Sequence, residues 1–518
     1  MANGAQALLT TLVDCGVQVC FANPGTSEMH FVAALDAVPQ MHGVLCLFEG
    51  VATGAADGYA RIAGKPAATL LHLGPGLSNG LANLHNARRA HSPVVNIIGD
   101  HAGYHKKYDA PLESEVESLT AWTHGWTRRT TGGDEVGRDA AEAVAASLTG
   151  PGGVANLILP ADISWGDGAT AAAPHTPGSP SRPDPAVVAE IATVLGSGDP
   201  VCLLLGGPAT GAPGLAAADR IAAATGARTL VETFPARLTR GAGVPAIERL
   251  GYLAEQAGAQ LDGIKHLIVA GTRPPVTFFA YPDRPSDLVP DGAVVHHLAG
   301  LDTDVVAALQ QLADAVAPDT AARGAPPAVP DLPDGALDAH NWGQVIGALL
   351  PAHAIISDES NTSGLLLAGA TAGSPQHDVL ALTGGAIGQG LPVAVGAAIA
   401  APKRPVIALQ ADGSAAYTIS ALWTMAREGL NITVVLLNNN AYAILRMELA
   451  RVGAGAGGPK AAQLLDLARP EMDFASIAQG FGVPATVAVT CEELAEQFAA
   501  AVAAPGPHLI DARIPTAF

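Results

Sequence analysis

The sequence predicts an α/β fold of three doubly wound parallel-sheet domains in series, and three observations lead there. Short, nearly unbroken apolar runs alternate with helical patterns along the chain, which marks parallel strands covered on both faces. At 518 residues the chain is too long for one ordinary core. Two stretches rich in Pro, Gly and small polar residues, 171–186 and 318–335, read as linkers. The expected domains are residues 1–170, 187–317 and 336–518.

Taken in order, "VQVCFAN", "ATLLHLG", "VVNIIGD" and "VANLILP" read as strands of the first domain. "PVCLLLGG", "ARTLVET", "HLIVAGT" and "AVVHHLA" do so in the second, and "HAIISDE", "PVIALQAD", "ITVVLLNN" and "HLIDARIP" in the third. Hydrophobic residues make up 49% of the chain and aromatics only 4%, so the cores must be built from Ala, Val, Leu and Ile. A formal net charge of −20 argues against a nucleic-acid or anionic-membrane partner, because both need a basic face. Five scattered cysteines without CxxC spacing suggest reduced thiols and a cytoplasmic location. The amino-terminal residues lack the basic, apolar and small-residue pattern of a signal peptide, and no apolar run is long enough to span a bilayer.

In open parallel sheets, ligands sit beyond the carboxyl ends of the strands. "VIALQADGS" ends a strand in Asp412, Gly413 and Ser414 and leads into the helical pattern "AAYTISALWTMAREG". The next strand, "NITVVLLNNN", ends in three asparagines that include Asn439. One βαβ crossover would make Asp412 and Asn439 neighbours. A carboxylate, an amide oxygen and a backbone carbonyl form a hard-oxygen set that suits Mg²⁺ shared with a diphosphate. Gly413 would let the backbone approach the phosphates, and the Ser414 N–H at the helix start would donate to them.

This pattern resembles the metal–diphosphate signature of thiamine diphosphate (ThDP) enzymes, with Ala411 where that signature has a glycine. The resemblance implies that Asp412, Asn439 and the carbonyl of Ala441 ligate Mg²⁺, with Tyr442 and Ile444 also in the cofactor pocket. In "GGAIGQGLP", Ile387 matches the apolar residue that props the cofactor into a bent shape, and Gly385 the residue whose carbonyl receives the 4′-amino group. In "SDESNTSG", Glu359, Asn361 and Thr362 match further pocket positions. The first domain resembles the pyrimidine-binding domain of the same enzymes. Glu49, after the apolar "LCLF", matches the glutamate that hydrogen-bonds N1′ of the aminopyrimidine. The implied order is a pyrimidine domain, a central Rossmann-like domain and a diphosphate domain, assembled as a homodimer or homotetramer with inter-subunit sites.

For the reaction, the family resemblance implies a small-molecule 2-oxo acid substrate. The chain looks acetolactate synthase-like, which implies decarboxylation followed by carboligation of the acyl anion equivalent. Yet Thr26 in "FANPGTSEMHF" and His72 in "LLHLGPGLSNG" look closest to the substrate-contacting residues of benzoylformate decarboxylase, a non-ligating alternative. "AGTRPPVTFFAYP" lacks the second histidine expected there and offers Phe278 and Phe279 as an apolar wall. A third alternative, a 2-hydroxyacyl-CoA lyase, would need a basic cluster for phosphates, and none is evident in the sequence. No flavin-binding pattern is evident either, so FAD is not expected. His101, His105, Lys106 and Lys107 are candidates for the acceptor side, and the glycine-rich loop 451–460 for a lid. A nicotinamide dehydrogenase would need GxGxxG after the first strand, which "CFANPGTSEMHF" does not supply.

Overall fold

The structure is a computed structural model and describes residues 2–455 and 457–516, so residue 456 of the glycine-rich loop lies outside the described residues. Three sheets carry the chain. The first has six parallel strands, in the spatial order His42–Leu45, Val19–Asn23, Ala67–His72, Val94–Asp100, Val154–Pro160 and Thr127–Arg129. The second has five, with Val201–Leu205 central between Arg228–Val231 and His266–Ala270. The third has seven, with Val406–Ala411 central between Ile355–Glu359 and Ile432–Asn438. Val94–Asp100, Val154–Pro160 and Ile432–Asn438 are buried at every position, as expected of strands covered on both faces.

One strand departs from the predicted parallel pattern. Leu238–Arg240 lies in the sequence of the middle segment but pairs antiparallel with His377–Leu380 at the edge of the third sheet. A second difference concerns the helix expected after Asp412. It is two short helices, Asp412–Thr418 and Ala421–Arg427.

The first and third sheets are joined by a close helix pair, Glu49–Ala63 against Gly390–Ala400. Small residues set their spacing. A Cβ on Gly396 would lie 1.9 Å from the Ala55 carbonyl oxygen, and one on Gly58 would lie 2.2 Å from that of Val393. Backbone therefore meets backbone, and one hydrophobic cluster runs continuously from Val51 and Tyr59 to Val393 and Leu422. Among the described residues, no helix is long and apolar enough to cross a membrane.

Candidate active site

Two clusters of candidate residues form at strand ends, one on the third sheet and one on the first. On the third sheet, Ala411 is level with Leu437 across adjacent parallel strands, so Asp412 and Asn439 emerge side by side. Asp412 is buried. Its Oδ1 accepts from the Gly413 N–H at 2.8 Å, while Oδ2 has no hydrogen-bond partner. Burial pushes its carboxyl up to about 6, against backbone N–H groups that pull the other way. Asn439 bends the chain back by accepting from the Ala441 N–H at 3.0 Å, and Asn440 sits in the left-handed region at φ 54°. A buried, unpartnered carboxylate oxygen beside an amide and a carbonyl is a donor set that fits a hard divalent cation.

These groups open into a cavity of about 860 Å³ whose lining includes Glu359, Asn361, Thr362, Gly385, Ile387, Asp412, Gly413, Ser414, Asn439, Ala441, Tyr442 and Ile444. Gly413 is required there because a Cβ would lie 2.5 Å from the Tyr442 ring. Gly385 has φ 72° and faces Phe278, whose Cζ would be 2.5 Å from an added Cβ. Asn361 donates through Nδ2 to Ser414 Oγ at 2.8 Å. Glu359 lines the cavity, but its oxygens are engaged with the protein. They accept from Gly388 N–H (2.7 Å), Gln389 N–H (3.3 Å), Gly390 N–H (2.7 Å) and Gln410 Nε2 (2.7 Å). Glu359 thus shapes the turn that carries Ile387. The opposite wall comes from the middle segment, where Phe234, Tyr252, Phe278 and Phe279 pack edge-on or tilted with centroids 4.9–6.1 Å apart. Phe234 and Tyr252 had no sequence signal beyond being aromatic.

The turn 383–388 is built on side chains from the first domain. Asn86 donates to the Ala386 carbonyl at 2.8 Å and accepts from its N–H at 3.2 Å. Asn83 bridges the carbonyls of Gly50 (2.7 Å) and Gly388 (3.2 Å), and His85 meets that of Gly384 at 3.1 Å. Arg61, paired with Asp57, donates to the Ala381 carbonyl at 2.8 Å and Thr383 Oγ1 at 3.0 Å.

In the second cluster Thr26 follows Val19–Asn23, His72 ends Ala67–His72, and Glu49 opens the helix after His42–Leu45. Gly25 lies against the His72 imidazole, where a Cβ would be 2.4 Å from the ring. Gly76 sits between Glu49 and His72, where a Cβ would be 3.1 Å from Glu49 Oε1 and 3.3 Å from His72 Cβ. Glu49 is buried and accepts from Asn79 Nδ2 at 2.9 Å. Glu28 was not singled out from the sequence. Its Oε2 contacts His72 Nδ1 at 2.8 Å and accepts from the Gly25 N–H at 2.7 Å. Burial pushes the Glu28 carboxyl up, opposed first by His72. Glu28 so placed fixes the imidazole's orientation and leaves Nε2 for other work. Thr26, His72 and Glu49 are not among the residues lining the third-sheet cavity.

One sheet presents a donor set that fits a hard divalent cation and another a buried glutamate beside an oriented histidine, an arrangement that suits a cofactor-dependent carbon–carbon lyase or ligase. The comparisons with known proteins agree, and the chain belongs to the thiamine pyrophosphate enzyme family. Residues 2–121 match the model "Thiamine pyrophosphate enzyme, N-terminal TPP binding domain", and residues 367–512 match its C-terminal counterpart. A Mycobacterium tuberculosis protein, IlvX, provisionally named an acetolactate synthase large subunit, is 63% identical over 99% of both chains. Benzoylformate decarboxylase of Pseudomonas aeruginosa is 31% identical over 97% of this chain and 96% of its own. The solved structure of a ThDP-dependent 4-hydroxybenzoylformate decarboxylase from Rhodococcus jostii RHA1 superposes with a TM-score of 0.86, at 26% identity over 99% of both chains. The protein is therefore a ThDP-dependent enzyme of the acetolactate synthase and benzoylformate decarboxylase type.

Proposed function

We propose that the protein is a Mg²⁺- and ThDP-dependent 2-oxo acid decarboxylase that returns a proton to its product and releases an aldehyde. The observation that carries this reading is the Glu28–His72 pair at 2.8 Å beside Glu49. An imidazole oriented by a buried carboxylate is equipped to move a proton at a strand end. Proton delivery ends the reaction at the aldehyde, whereas carboligation requires that proton to be withheld until a second carbonyl arrives.

Bound ThDP would supply the nucleophilic carbon and the electron sink for loss of CO₂. Asp412 Oδ2, the Asn439 side chain and the Ala441 carbonyl would hold Mg²⁺, with the Gly413 and Ser414 N–H groups orienting the diphosphate. Glu49, fixed by Asn79, would hold a proton at N1′ of the aminopyrimidine. Gly385 and Ile387 would seat that ring, and the aromatic wall would exclude water. Because Glu49 does not line the cavity that holds Asp412, we assign each complete site to two copies of the chain, at least a homodimer. The second reading is acetolactate synthase-like carboligation, favoured by the 63% identity to IlvX.

Product analysis over a panel of 2-oxo acids, with and without acceptor aldehydes, separates the two. Aldehyde release that falls about 100-fold in His72→Ala supports the decarboxylase, general acid–base catalysis being worth about that much. Acetolactate formed from pyruvate, undiminished by His72→Ala, would replace it with the second reading. No CO₂ from any acid would overturn both.

A further inference from the structure

Two arginines on the cavity wall are used by neither the cofactor nor the proposed chemistry. Arg240 ends the antiparallel edge strand of the third sheet, and Arg249 ends the two-residue edge strand Glu248–Arg249 of the second. Nine positions apart in sequence, they are brought to one wall because the middle segment contributes an edge to each of two sheets. Both line the 860 Å³ cavity that contains Asp412 and Gly385. They also line the narrow void behind it, together with Asp358.

Carboxylates also line this cavity, yet the two guanidiniums have few partners. The Arg240 guanidinium makes one hydrogen bond, Nη2 to the Ala368 carbonyl at 2.5 Å, and its Nε is buried with no partner. Among the described residues, neither Arg240 nor Arg249 forms an ion pair, and the Arg249 guanidinium makes no hydrogen bond. Elsewhere in this acidic chain arginines find carboxylates, as in Arg61–Asp57, Arg129–Asp100 and Arg404–Asp378. Asp358 is the acidic neighbour, and its Oδ1 is already held by the Ser360 N–H at 3.1 Å and the Ser360 hydroxyl at 2.6 Å. Glu248 lines the same cavity but is exposed, Glu359 is held by its backbone and Gln410 donors, and Glu448 accepts from the Tyr281 hydroxyl at 3.0 Å. Burial and the charge of Arg249 hold the Arg240 guanidinium down to about 10, with Asp358 opposing. Two half-buried guanidiniums without an ion-pair partner, on one wall of a cavity, leave donors free for an oxyanion. Guanidinium forks match the paired oxygens of a carboxylate or phosphate.

We propose that Arg240 and Arg249 form an oxyanion subsite for a carboxylate or phosphate on a molecule that enters the cavity alongside the cofactor. The oxyanion is supplied either by a distal acidic group of the substrate itself or by a separate small-molecule anion. In the first case the subsite selects 2-oxo acids with a second acidic end. In the second it is an effector site that shares a wall with the catalytic cavity. This goes beyond the decarboxylase reading and does not depend on which product is released.

The test uses holoenzyme saturated with Mg²⁺ and ThDP, so that the cofactor's own diphosphate is accounted for. Inorganic phosphate and malonate are titrated by calorimetry into the wild type and into Arg249→Gln. KM is measured for two 2-oxo acids of equal length, one ending in carboxylate and one in methyl. A substrate-borne oxyanion raises KM for the dicarboxylate at least about tenfold in Arg249→Gln and leaves the methyl-ended acid unchanged, one lost charge-assisted contact being worth about that. A separate anion shows instead as phosphate or malonate binding to the wild type that weakens about tenfold in the variant, with the KM ratio unmoved. If neither probe binds the wild type and the wild type shows no preference for the dicarboxylate, the subsite does not exist. The wild-type measurements decide that even if Arg249→Gln fails to fold.

Discussion

Replacing Arg61 by Met should destabilise the protein more than most single substitutions would. Arg61 and Asp57 are one turn apart on the helix Glu49–Ala63, with side chains 1% and 0% exposed. Arg61 Nε donates to Asp57 Oδ1 at 2.8 Å and Nη2 to Oδ2 at 2.5 Å. The same guanidinium reaches the carbonyls of Ala381 (2.8 Å) and Ala236 (3.3 Å) and the side chains of Thr383 (3.0 Å) and Gln389 (3.3 Å). In Arg61→Met, Asp57 keeps only the Ser92 hydroxyl, at 2.5 Å, against full burial of its charge. Removing one partner of a buried pair costs about 3–5 kcal/mol, a large part of the 5–15 kcal/mol that typically holds a protein folded. Restoring neutrality in Arg61→Met/Asp57→Asn should recover about half of that, because the uncompensated charge is the larger component. Urea unfolding followed by circular dichroism reads both numbers. A loss under about 1 kcal/mol in the single variant, or a double variant no better than the single, would refute the reasoning. The 381–389 segment should loosen too, seen as weaker ThDP binding by the variant.

Two further outcomes are expected. If each complete site draws Glu49 from one subunit and Asp412 from another, Glu49→Gln and Asp412→Ala are each inactive alone. After subunit exchange, the mixture should then regain part of the wild-type turnover, and a mixture that stays inactive counts against shared sites. Asp378 is clasped by Arg237 and Arg404 at 2.9 and 2.7 Å, and these cations hold its carboxyl below the ordinary range despite burial. A lowered folded value means that this stabilisation is complete above the ordinary carboxylate range and drains as pH falls through the lowered value. Asp378→Asn should therefore be less stable than the wild type at pH 7, and the gap should close on acidification. A gap independent of pH in thermal unfolding would remove the linkage.

What could be read from the sequence follows from what a local pattern can carry. Val94–Asp100, Val154–Pro160 and Ile432–Asn438 are apolar because both faces are covered, so they stand out without any knowledge of their neighbours. His42–Leu45, Thr127–Arg129 and Ala485–Ala488 are short edge strands, extended only because a partner strand lies alongside, and the sequence hides them. Asp412 and Asn439 were legible because each directly follows a buried strand. Glu28 was not, since its burial depends on Gly99, where a Cβ would lie 1.6 Å from Glu28 Oε1. Asn83 and Asn86 carry no signal of their own, because their partners, the carbonyls of Gly388 and Ala386, lie about 300 residues away in the chain. Arg240 and Arg249, though near in sequence, share a wall only because their short strands join the edges of two different sheets.

The strand Leu238–Arg240 also bears on how this chain is made. It leaves the ribosome well before its partner, His377–Leu380, and at typical synthesis rates waits on the order of ten seconds for it. During that interval an unpaired edge is exposed, and the third sheet cannot close its border until the middle segment has delivered it. A fragment of the last third alone would carry that open border permanently. Expression of residues 336–518 by themselves should yield aggregates, and supplying residues 187–317 on a separate chain is the way to rescue them.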